Sequence, residues 1–149
     1  AYLMLSAPQI GVRHARRLTG VGAVLRSQWP DGVALADEIG VTPAVSPKFP
    51  NISIPYGALV PQQLDGLLAC GRHISCDRNS HGFMREIPQC WITGQAAGVA
   101  AALASQGGIA PRFVDTGALQ SALLAQGVYL RAGGEAGQSA ASVAAEASA

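Results

Sequence analysis

The feature that most constrains the fold is an apolar run, a polar stretch and a helix-forming segment of small residues, in that order. Residues 67–70 (LLAC) are continuously apolar and precede Gly71, a pattern typical of a strand buried on both faces of a parallel sheet. A polar loop is predicted over residues 73–92. Thr93 is then a candidate N-cap for a helix over residues 94–106, which a glycine pair would end. Strand, loop and helix in this order predict an α/β fold.

The small residues of this helix bear on what it can contact. Gly94 and Gly98 are four residues apart, so they share a helix face, which Ala97, Ala101 and Ala102 widen. A helix with such a face can approach a strand or a flat ligand closely, and its N-terminus presents unpaired N–H groups and a positive dipole end. Two interpretations are open: a site for a phosphate or the electron-rich end of a cofactor ring, or tight helix packing alone.

Composition narrows the classes of partner. Hydrophobic residues make up 49% of the 149 residues and aromatic residues only 5%, while charged residues make up 13%, against roughly 25% in an average globular domain. We therefore expect part of the surface to be covered by something else. The formal net charge of +1 gives no basic excess for nucleic-acid binding. No apolar run reaches the length of a membrane span.

Three cysteines, Cys70, Cys76 and Cys90, cannot all pair within the chain, which argues against a disulfide scaffold. Free thiols fit a reducing compartment, so a cytoplasmic location is favoured. Cys70 and Cys76 together with His73 and His81 resemble a zinc ligand set by composition. This interpretation is disfavoured, because Cys70 and His73 would point to opposite faces of a continuous strand and the spacing is unusual for zinc. A covalent bond from His73, Cys76 or His81 to a cofactor is a further alternative.

The loop after the predicted strand carries the densest polar chemistry of the chain. Its polar residues include two histidines and two arginines, and the set is His73, Asp77, Arg78, Asn79, His81 and Arg85. Open α/β sheets bind ligands at the carboxyl ends of their strands, where this loop would lie. A histidine there can exchange protons near neutral pH, and an arginine can hold an anion. A structural role for the histidines stays open.

A second group of cations, Arg13, Arg16 and Arg17, lies in the segment IGVRHARRLTG. Arginine binds carboxylates through a planar, bidentate fork. The group is therefore either a solvated basic face or a clamp for an anion.

Two further elements are predicted nearer the ends of the domain. Residues 52–56 alternate apolar and more polar side chains, which indicates a half-buried strand, and Pro55 would place it at an edge or a bulge. A last helix would follow a cap at Asp115 or Thr116 and stop near Gly127, with an apolar stripe of three leucines, Leu119, Leu123 and Leu124.

Three stretches, in this order and at this spacing, resemble the C-terminal part of FAD-dependent oxidoreductases of the glutathione-reductase-like flavin-fold superfamily. They are IPYGALVPQQLDGLLACGRHIS, MREIPQCWITGQAAGVAAALA and VDTGALQSALLAQGVYL. IGVRHARRLTG is similar to an R-x-x-R-R segment that lies upstream in that family. The resemblance covers most of residues 9–130. It implies the C-terminal portion of a Rossmann-like FAD-binding domain, with FAD as the cofactor.

The resemblance also implies site residues. Gly71 and Arg72 would lie close to the flavin nucleotide. The stretch that begins at Thr93 would bind the cofactor as well. It would present a helix N-terminus to the isoalloxazine ring and stabilise the reduced flavin, through Thr93, Gly94, Gln95, Ala96, Ala97 and Gly98. Arg85 matches an arginine that the family often places before that stretch. The candidate catalytic residues are a base, His81 or His73, and cations that would hold a polar or anionic substrate, Arg13, Arg17 or Arg85.

One family element is missing from this sequence. Family members bind the diphosphate of FAD with an N-terminal G-x-G-x-x-G unit, and the sequence contains no such motif. We therefore expect a subunit or cleaved C-terminal fragment of an FAD-dependent oxidoreductase. A second polypeptide would carry the G-x-G-x-x-G half, and hydride would pass from an unknown organic substrate to FAD. The alternative is a non-catalytic structural subunit of a flavoprotein complex.

This interpretation divides the chain into three segments. Residues 1–50, with a short helix near residues 33–39, would contribute to a substrate or cap region. Residues 51–130 would form the C-terminal part of the FAD-binding domain. Residues 131–149, which are rich in Ala, Ser and Gly, would form a flexible tail.

Overall fold

The computed structural model describes residues 14, 16–29, 34–42 and 51–131. These residues form a small sheet and three α-helices, namely β1 (Glu38–Val41), β2 (Ser53–Pro55), α1 (Arg78–Met84), α2 (Ile87–Gly107) and α3 (Thr116–Ala125). Short 3-10 turns connect them, at Arg26–Gln28, Tyr56–Ala58, Gly71–His73 and Pro111–Phe113. The described part of the chain is therefore a mixed structure of helices and one small sheet. The predicted segment boundary at residue 50 and the predicted tail lie at or outside the described residues.

The two strands pair antiparallel, with Val41 opposite Ser53 and Glu38 opposite Pro55. The register shifts between Glu38 and Gly40, so Pro55 sits beside a bulge, as predicted for a residue that cannot donate to the ladder. Every residue from 52 to 56 is buried. The prediction of a half-buried strand is therefore wrong, because both faces of this short strand are covered.

The predicted helix near residues 33–39 is also absent from its described part. Residues 36 and 37 form a turn, and β1 begins at Glu38. Ile39 is 1% exposed, and the ladder with β2 satisfies backbone groups that a helix would otherwise pair internally. Tertiary pairing overrides local helix preference here.

No strand forms at residues 67–70, so that prediction is wrong. Leu67 is 47% exposed, and Cys70 is exposed as well. The segment is held as a loop by one backbone bond, from Ala69 N to Leu59 O at 2.9 Å. Gly71 then adopts a φ of +67°, which starts a 3-10 turn and ends any extended run. The parallel sheet that this strand implied does not occur among the described residues.

Helix α2 begins seven residues before the predicted start. Its N-cap is Glu86, and a proline lies in its first turn, where the missing N–H costs nothing. Gly94 therefore lies inside the helix, and the predicted loop over residues 73–92 holds both α1 and the start of α2. The predicted end is confirmed, because Gly108 caps the helix with a φ of 61°.

Helix α3 follows its predicted pattern. Asp115 is the N-cap, and its side chain accepts a hydrogen bond from Ala118 N at 2.7 Å. Leu119 and Leu123 are fully buried, whereas Leu124 is 42% exposed. Two of the three predicted leucines thus belong to the core, and the third faces outward.

The N-terminal described segment runs beside the 3-10 turn that precedes α1. Leu18 N donates to His73 O at 2.7 Å, and Val24 N donates to Ser75 O at 3.1 Å. Trp29 then anchors α1, since its Nε1 donates to Ser80 Oγ at 3.1 Å. These contacts bring the histidine and arginines of residues 14–17 to the turn and to α1.

Candidate functional site

The centre of the site is the joint between the 3-10 turn Gly71–His73 and helix α2. Gly71 N donates to Thr93 Oγ1 at 2.9 Å, and that hydroxyl donates to Gln89 O at 2.8 Å. Thr93 is fully buried. Its hydroxyl therefore links the 3-10 turn to helix α2, and the prediction that Thr93 caps α2 is wrong. A side chain at Gly71 would be strained by the positive φ.

The N-terminus of α2 carries polar atoms without partners. Its cap residue, Glu86, makes no side-chain cap bond to the helix, so the first-turn N–H groups keep their capacity for an acceptor. Gln89, in the first turn, is 5% exposed, and its Oε1 has no partner among the described residues. Arg85 pairs with Glu86 through Nη1 at 3.2 Å, while its buried Nε is unpartnered within the same residues. Buried polar groups of this kind are uncommon unless something else satisfies them.

The predicted cofactor-binding residues of the GQAAG stretch lie on two different sides of α2. Ala96 is 0% and Ala97 9% exposed, so both face the core, and the prediction that they contact a ligand is not supported by their position. Gly94, Gln95 and Gly98 lie on the outer side. A Cβ placed on either glycine would meet nothing within 4 Å. The outer side of α2 is therefore open at these positions. They lie on the flank of the helix, whereas the sequence predicted that they form its N-terminus.

Two histidine rings meet beside this joint. His81, in α1, is 1% exposed. Its Nε2 lies 3.1 Å from Arg72 O, and its Nδ1 lies 3.0 Å from Nδ1 of His14. The two rings pack edge to face, with centroids 4.7 Å apart. His14 was not among the predicted site residues, although it stands inside the arginine-rich segment that was.

The surroundings of His81 lower its pKa, and burial is the largest cause. Burial lowers its pKa, and the positive charges of Arg17 and Arg85 and the ring of His14 lower it further, against the opposing effect of the Arg72 carbonyl. A neutral imidazole has one donor and one acceptor nitrogen. Its hydrogen bonds therefore depend on which nitrogen keeps the proton.

The comparisons with known proteins decide the family. A family model described as FAD dependent oxidoreductase matches residues 1–123. The chain belongs to the FAD-dependent oxidoreductase family. FAD is accordingly its cofactor, and the resemblance drawn from the motifs is confirmed. No curated protein and no solved structure matches the chain.

The groups at the start and on the flank of α2 are chemically compatible with the cofactor of this FAD-dependent oxidoreductase. The helix N-terminus offers donors to an electron-rich group, the buried Gln89 Oε1 and Arg85 Nε lack partners among the described residues, and the flank at Gly94 and Gly98 leaves room for a flat group. Gly71 and Arg72 lie at the same joint, and Arg72 Nε donates to Arg85 O at 3.3 Å. The structure thus brings Gly71, Arg72, Arg85 and Thr93 together.

The remaining predicted site residues of the oxidoreductase are His73, Arg17 and Arg13. His73 is exposed, and among the described residues only its backbone carbonyl is bonded. Arg17 is half-buried and acts on His81 through its charge. Arg13 lies outside the described residues.

Two thiols of the oxidoreductase, Cys76 and Cys90, have pKa values raised by burial. Burial raises the pKa of Cys76 to about 11, with Asp77 adding to the effect of burial and Arg17 opposing it. Burial also raises the pKa of Cys90. The part of the chain that the structure describes holds no group of three His, Cys, Asp or Glu side chains arranged for a metal ion. None of its helices combines the length and the apolar character that crossing a membrane requires.

A surface groove lies beside the N-terminal segment, with Leu18 in its wall. It has a volume of about 350 Å³ and is lined by residues 18–19 and 61–64 and by Leu67. Arg112 holds its loop, donating to Pro61 O at 3.0 Å and to Leu64 O at 3.3 Å. None of the predicted site residues lines this groove, so its size alone does not make it the reaction site.

Proposed function

We propose that this chain supplies the C-terminal part of the FAD site of an oxidoreductase that takes hydride from an organic substrate. The observation that carries the proposal is the start of helix α2. Within the described part of the chain, the helix has no side-chain cap there, and two buried atoms beside it, Gln89 Oε1 and Arg85 Nε, have no hydrogen-bond partner. Satisfying all three takes a group that both accepts and donates hydrogen bonds, which describes the polar edge of a flavin ring.

When bound, FAD supplies the hydride acceptor. The chain's own residues orient the cofactor and stabilise negative charge on it. The positive end of α2 favours negative charge at its first turn, and Arg85 adds a cation there. The hydrogen bond from Gly71 N to Thr93 Oγ1 fixes the turn against the helix, so the backbone of Gly71 and Arg72 keeps a constant position relative to α2.

We propose further that a second polypeptide completes the site. The G-x-G-x-x-G unit that binds the diphosphate is missing from the sequence. The outer side of α2 is also apolar where it meets solvent, since Trp91 is 72% and Ile87 58% exposed. Exposed apolar side chains next to an open helix flank are typical of a surface that another polypeptide covers. The G-x-G-x-x-G half is the partner whose chemistry this incomplete site lacks.

Native mass spectrometry of the protein as isolated tests the proposal. We expect an assembly that contains a second chain and the mass of one FAD, and a yellow sample. A bare chain of 15.2 kDa that neither binds added FAD nor recruits a second chain would contradict it. An assembly without FAD would instead support the alternative, a non-catalytic structural subunit.

A further inference from the structure

We propose that His14 is the proton acceptor for the substrate of this oxidoreductase, and that His81 is a positioning residue that fixes the His14 tautomer. The inference deepens the proposed function and rests on it for its chemical meaning. It is carried by one geometric fact: an exposed and a buried histidine face each other Nδ1 to Nδ1 at 3.0 Å, with the buried ring anchored on its far side.

The tautomers follow from the donors and acceptors available. Arg72 O, 3.1 Å from His81 Nε2, is a carbonyl and can only accept, so Nε2 of His81 carries a proton. In a neutral ring, Nδ1 of His81 then holds a lone pair. The 3.0 Å contact requires a proton between the two Nδ1 atoms, and His14 Nδ1 must supply it. His14 Nε2 is left as the free basic nitrogen.

The charges around His81 oppose transfer of the proton from His14 Nδ1 to His81. Among the described residues, the groups whose charge acts on His81 are Arg17 from the N-terminal segment, Arg85 after α1 and the ring of His14, and each lowers its pKa. No carboxylate of the described residues is among the groups that shift the pKa of His81. A second proton on His81 would place a buried positive charge among other positive charges, which is costly. His81 therefore remains an acceptor toward His14.

The exposures of the two rings match these roles. His14 is exposed and His81 is 1% exposed, so only His14 can touch a substrate. The orientation of one histidine by the hydrogen bond on its other nitrogen is a general device for general bases. In the proposed reaction, bound FAD would accept the hydride of a substrate C–H bond. The proton of the adjacent O–H or N–H group goes to Nε2 of His14, so the substrate loses two electrons and two protons in balance.

Nitrogen NMR of the histidine-labelled chain tests the tautomers without FAD. At about pH 8, where an ordinary histidine is neutral, we expect His14 to carry its proton on Nδ1 and His81 on Nε2. His81→Leu removes the acceptor, so His14 should shift to a mixture with Nε2–H. His81→Gln offers both an acceptor and a donor, and it should restore the Nδ1–H form. A wild-type spectrum with His14 as Nε2–H would overturn the inference.

Diethyl pyrocarbonate gives a second readout, because it modifies the unprotonated nitrogen of an accessible histidine. Followed by peptide mass spectrometry, His14 should react several-fold more slowly in His81→Leu than in the wild-type chain and regain its rate in His81→Gln. Exposed His73 is the internal control and should react at one rate in all three. Equal His14 rates in the three chains would overturn the inference.

The two readouts separate this inference from the proposed function. If His81→Leu does not fold, the wild-type spectrum and the His81→Gln chain still decide the tautomer question. Absence of FAD from the native assembly would contradict the proposed function and leave the tautomer result unchanged.

Discussion

Glu38 shows what a single residue can demand of the rest of the chain. Its carboxylate is fully buried, and it accepts bonds from Ser53 Oγ at 2.6 Å, from Arg131 N at 2.5 Å and from Arg131 Nη2 at 3.0 Å. A buried carboxylate is tolerated only when it is paired and hydrogen-bonded in this way. The pair ties β1 to the residue that ends the described chain.

Removal of the arginine is expected to be costly at this position. Arg131→Met should lower the free energy of unfolding by about 3–5 kcal/mol, because it leaves a buried charge without its partner. Urea denaturation followed by circular dichroism measures the change. The matched control is Asp65→Asn, which removes the exposed ion pair between Asp65 and Arg112 and should cost about 1 kcal/mol or less. Equal costs for the two variants would contradict the buried-pair account.

His81 provides a pH-dependent contribution to stability. Its pKa in the folded chain is lowered, mainly by burial, from an ordinary value of 6.5. As the pH falls below 6.5, His81 binds a proton in the unfolded chain but not in the folded chain. The free energy of unfolding therefore decreases until the pH reaches the pKa of His81 in the folded chain. His81→Gln should flatten this part of the profile.

The measurement is urea denaturation at a series of pH values from neutral downward. Asp77 does not interfere at the upper end of this window. Burial would raise its pKa, but hydrogen bonds from the backbone of Ser80 and Arg26 outweigh burial and lower it from 3.8. The idea is untenable if the wild-type chain and His81→Gln lose stability equally between neutral pH and the window of Asp77.

At the scale of the element, two helices share one capping device and differ in what else it holds. Asp77 caps α1 through Ser80 N at 2.7 Å and also accepts from Arg26 N at 2.6 Å. Asp115 caps α3 through Ala118 N at 2.7 Å. The first aspartate therefore joins a helix to a distant turn, while the second acts within its own helix.

The difference predicts unequal costs for the same substitution. Asp115→Ala should cost about 1 kcal/mol, the usual value of a lost N-cap. Asp77→Ala should cost about 1 kcal/mol more, because a second hydrogen bond to a charged acceptor is lost as well. Thermal and urea denaturation of both variants provide the comparison. If Asp115→Ala proved the more damaging, the tie to Arg26 would not contribute.

Helix α2 shows how far an element can depend on its neighbours. Its first turn holds Gln89 Oε1, which has no partner among the described residues, its inner face packs Ala96 and Ala100 into the core, and its outer flank is open at Gly94 and Gly98. β1 crosses the helix at Gly40, where a Cβ would overlap Ile92. One helix thus serves the core and the proposed cofactor site on different sides.

At the scale of the whole molecule, the described chain leaves its proposed interface exposed. Large apolar side chains at the surface include Ile87 and Trp91 on α2, at 58% and 72% exposure. The low charge content of the sequence, 13%, agrees with a chain that is partly covered in its assembly. The free energy of unfolding of the chain and its assembly with FAD or a second polypeptide can then change independently.

A glycine variant on the open flank should separate them. A Cβ added at Gly98 would meet no atom within 4 Å, and Gly98→Leu replaces a poor helix former, so the chain should gain about 0.8 kcal/mol of stability. The same side chain would occupy space that FAD or the second polypeptide needs, so assembly should weaken. Thermal denaturation of the chain and native mass spectrometry of the assembly give the two readouts.

The matched control is Gly82→Leu, at a half-buried glycine of α1 where an added Cβ would likewise meet no atom within 4 Å. It should stabilise the chain by a similar amount and leave FAD content and assembly mass unchanged. Full assembly of Gly98→Leu would show that this flank of α2 is not the cofactor or partner surface.

Several features follow from local signals in the sequence. The cap at Asp115, the end of α2 at Gly108 and the bulge beside Pro55 were all predictable, because each depends on residues within a few positions of one another. The family also followed from the sequence, since the order and spacing of its motifs survive without any knowledge of contacts. The start of α2 was missed although Pro88 signalled it, because a proline in a first helical turn was read as part of a loop.

The rest was decided by contacts between distant segments. The apolar run at residues 67–70 looks like a buried strand, but nothing in the described chain covers Leu67. His14 and His81 are 67 residues apart, and Glu38 and Arg131 are 93 apart. Burial and long-range hydrogen bonding depend on which surfaces the folded chain brings together, and no local pattern of residue types encodes that. The sequence by itself determined the family, the cofactor, the cap of α3 and the end of α2, while the tertiary structure decided which histidine is buried, which is exposed, and which side of α2 is open.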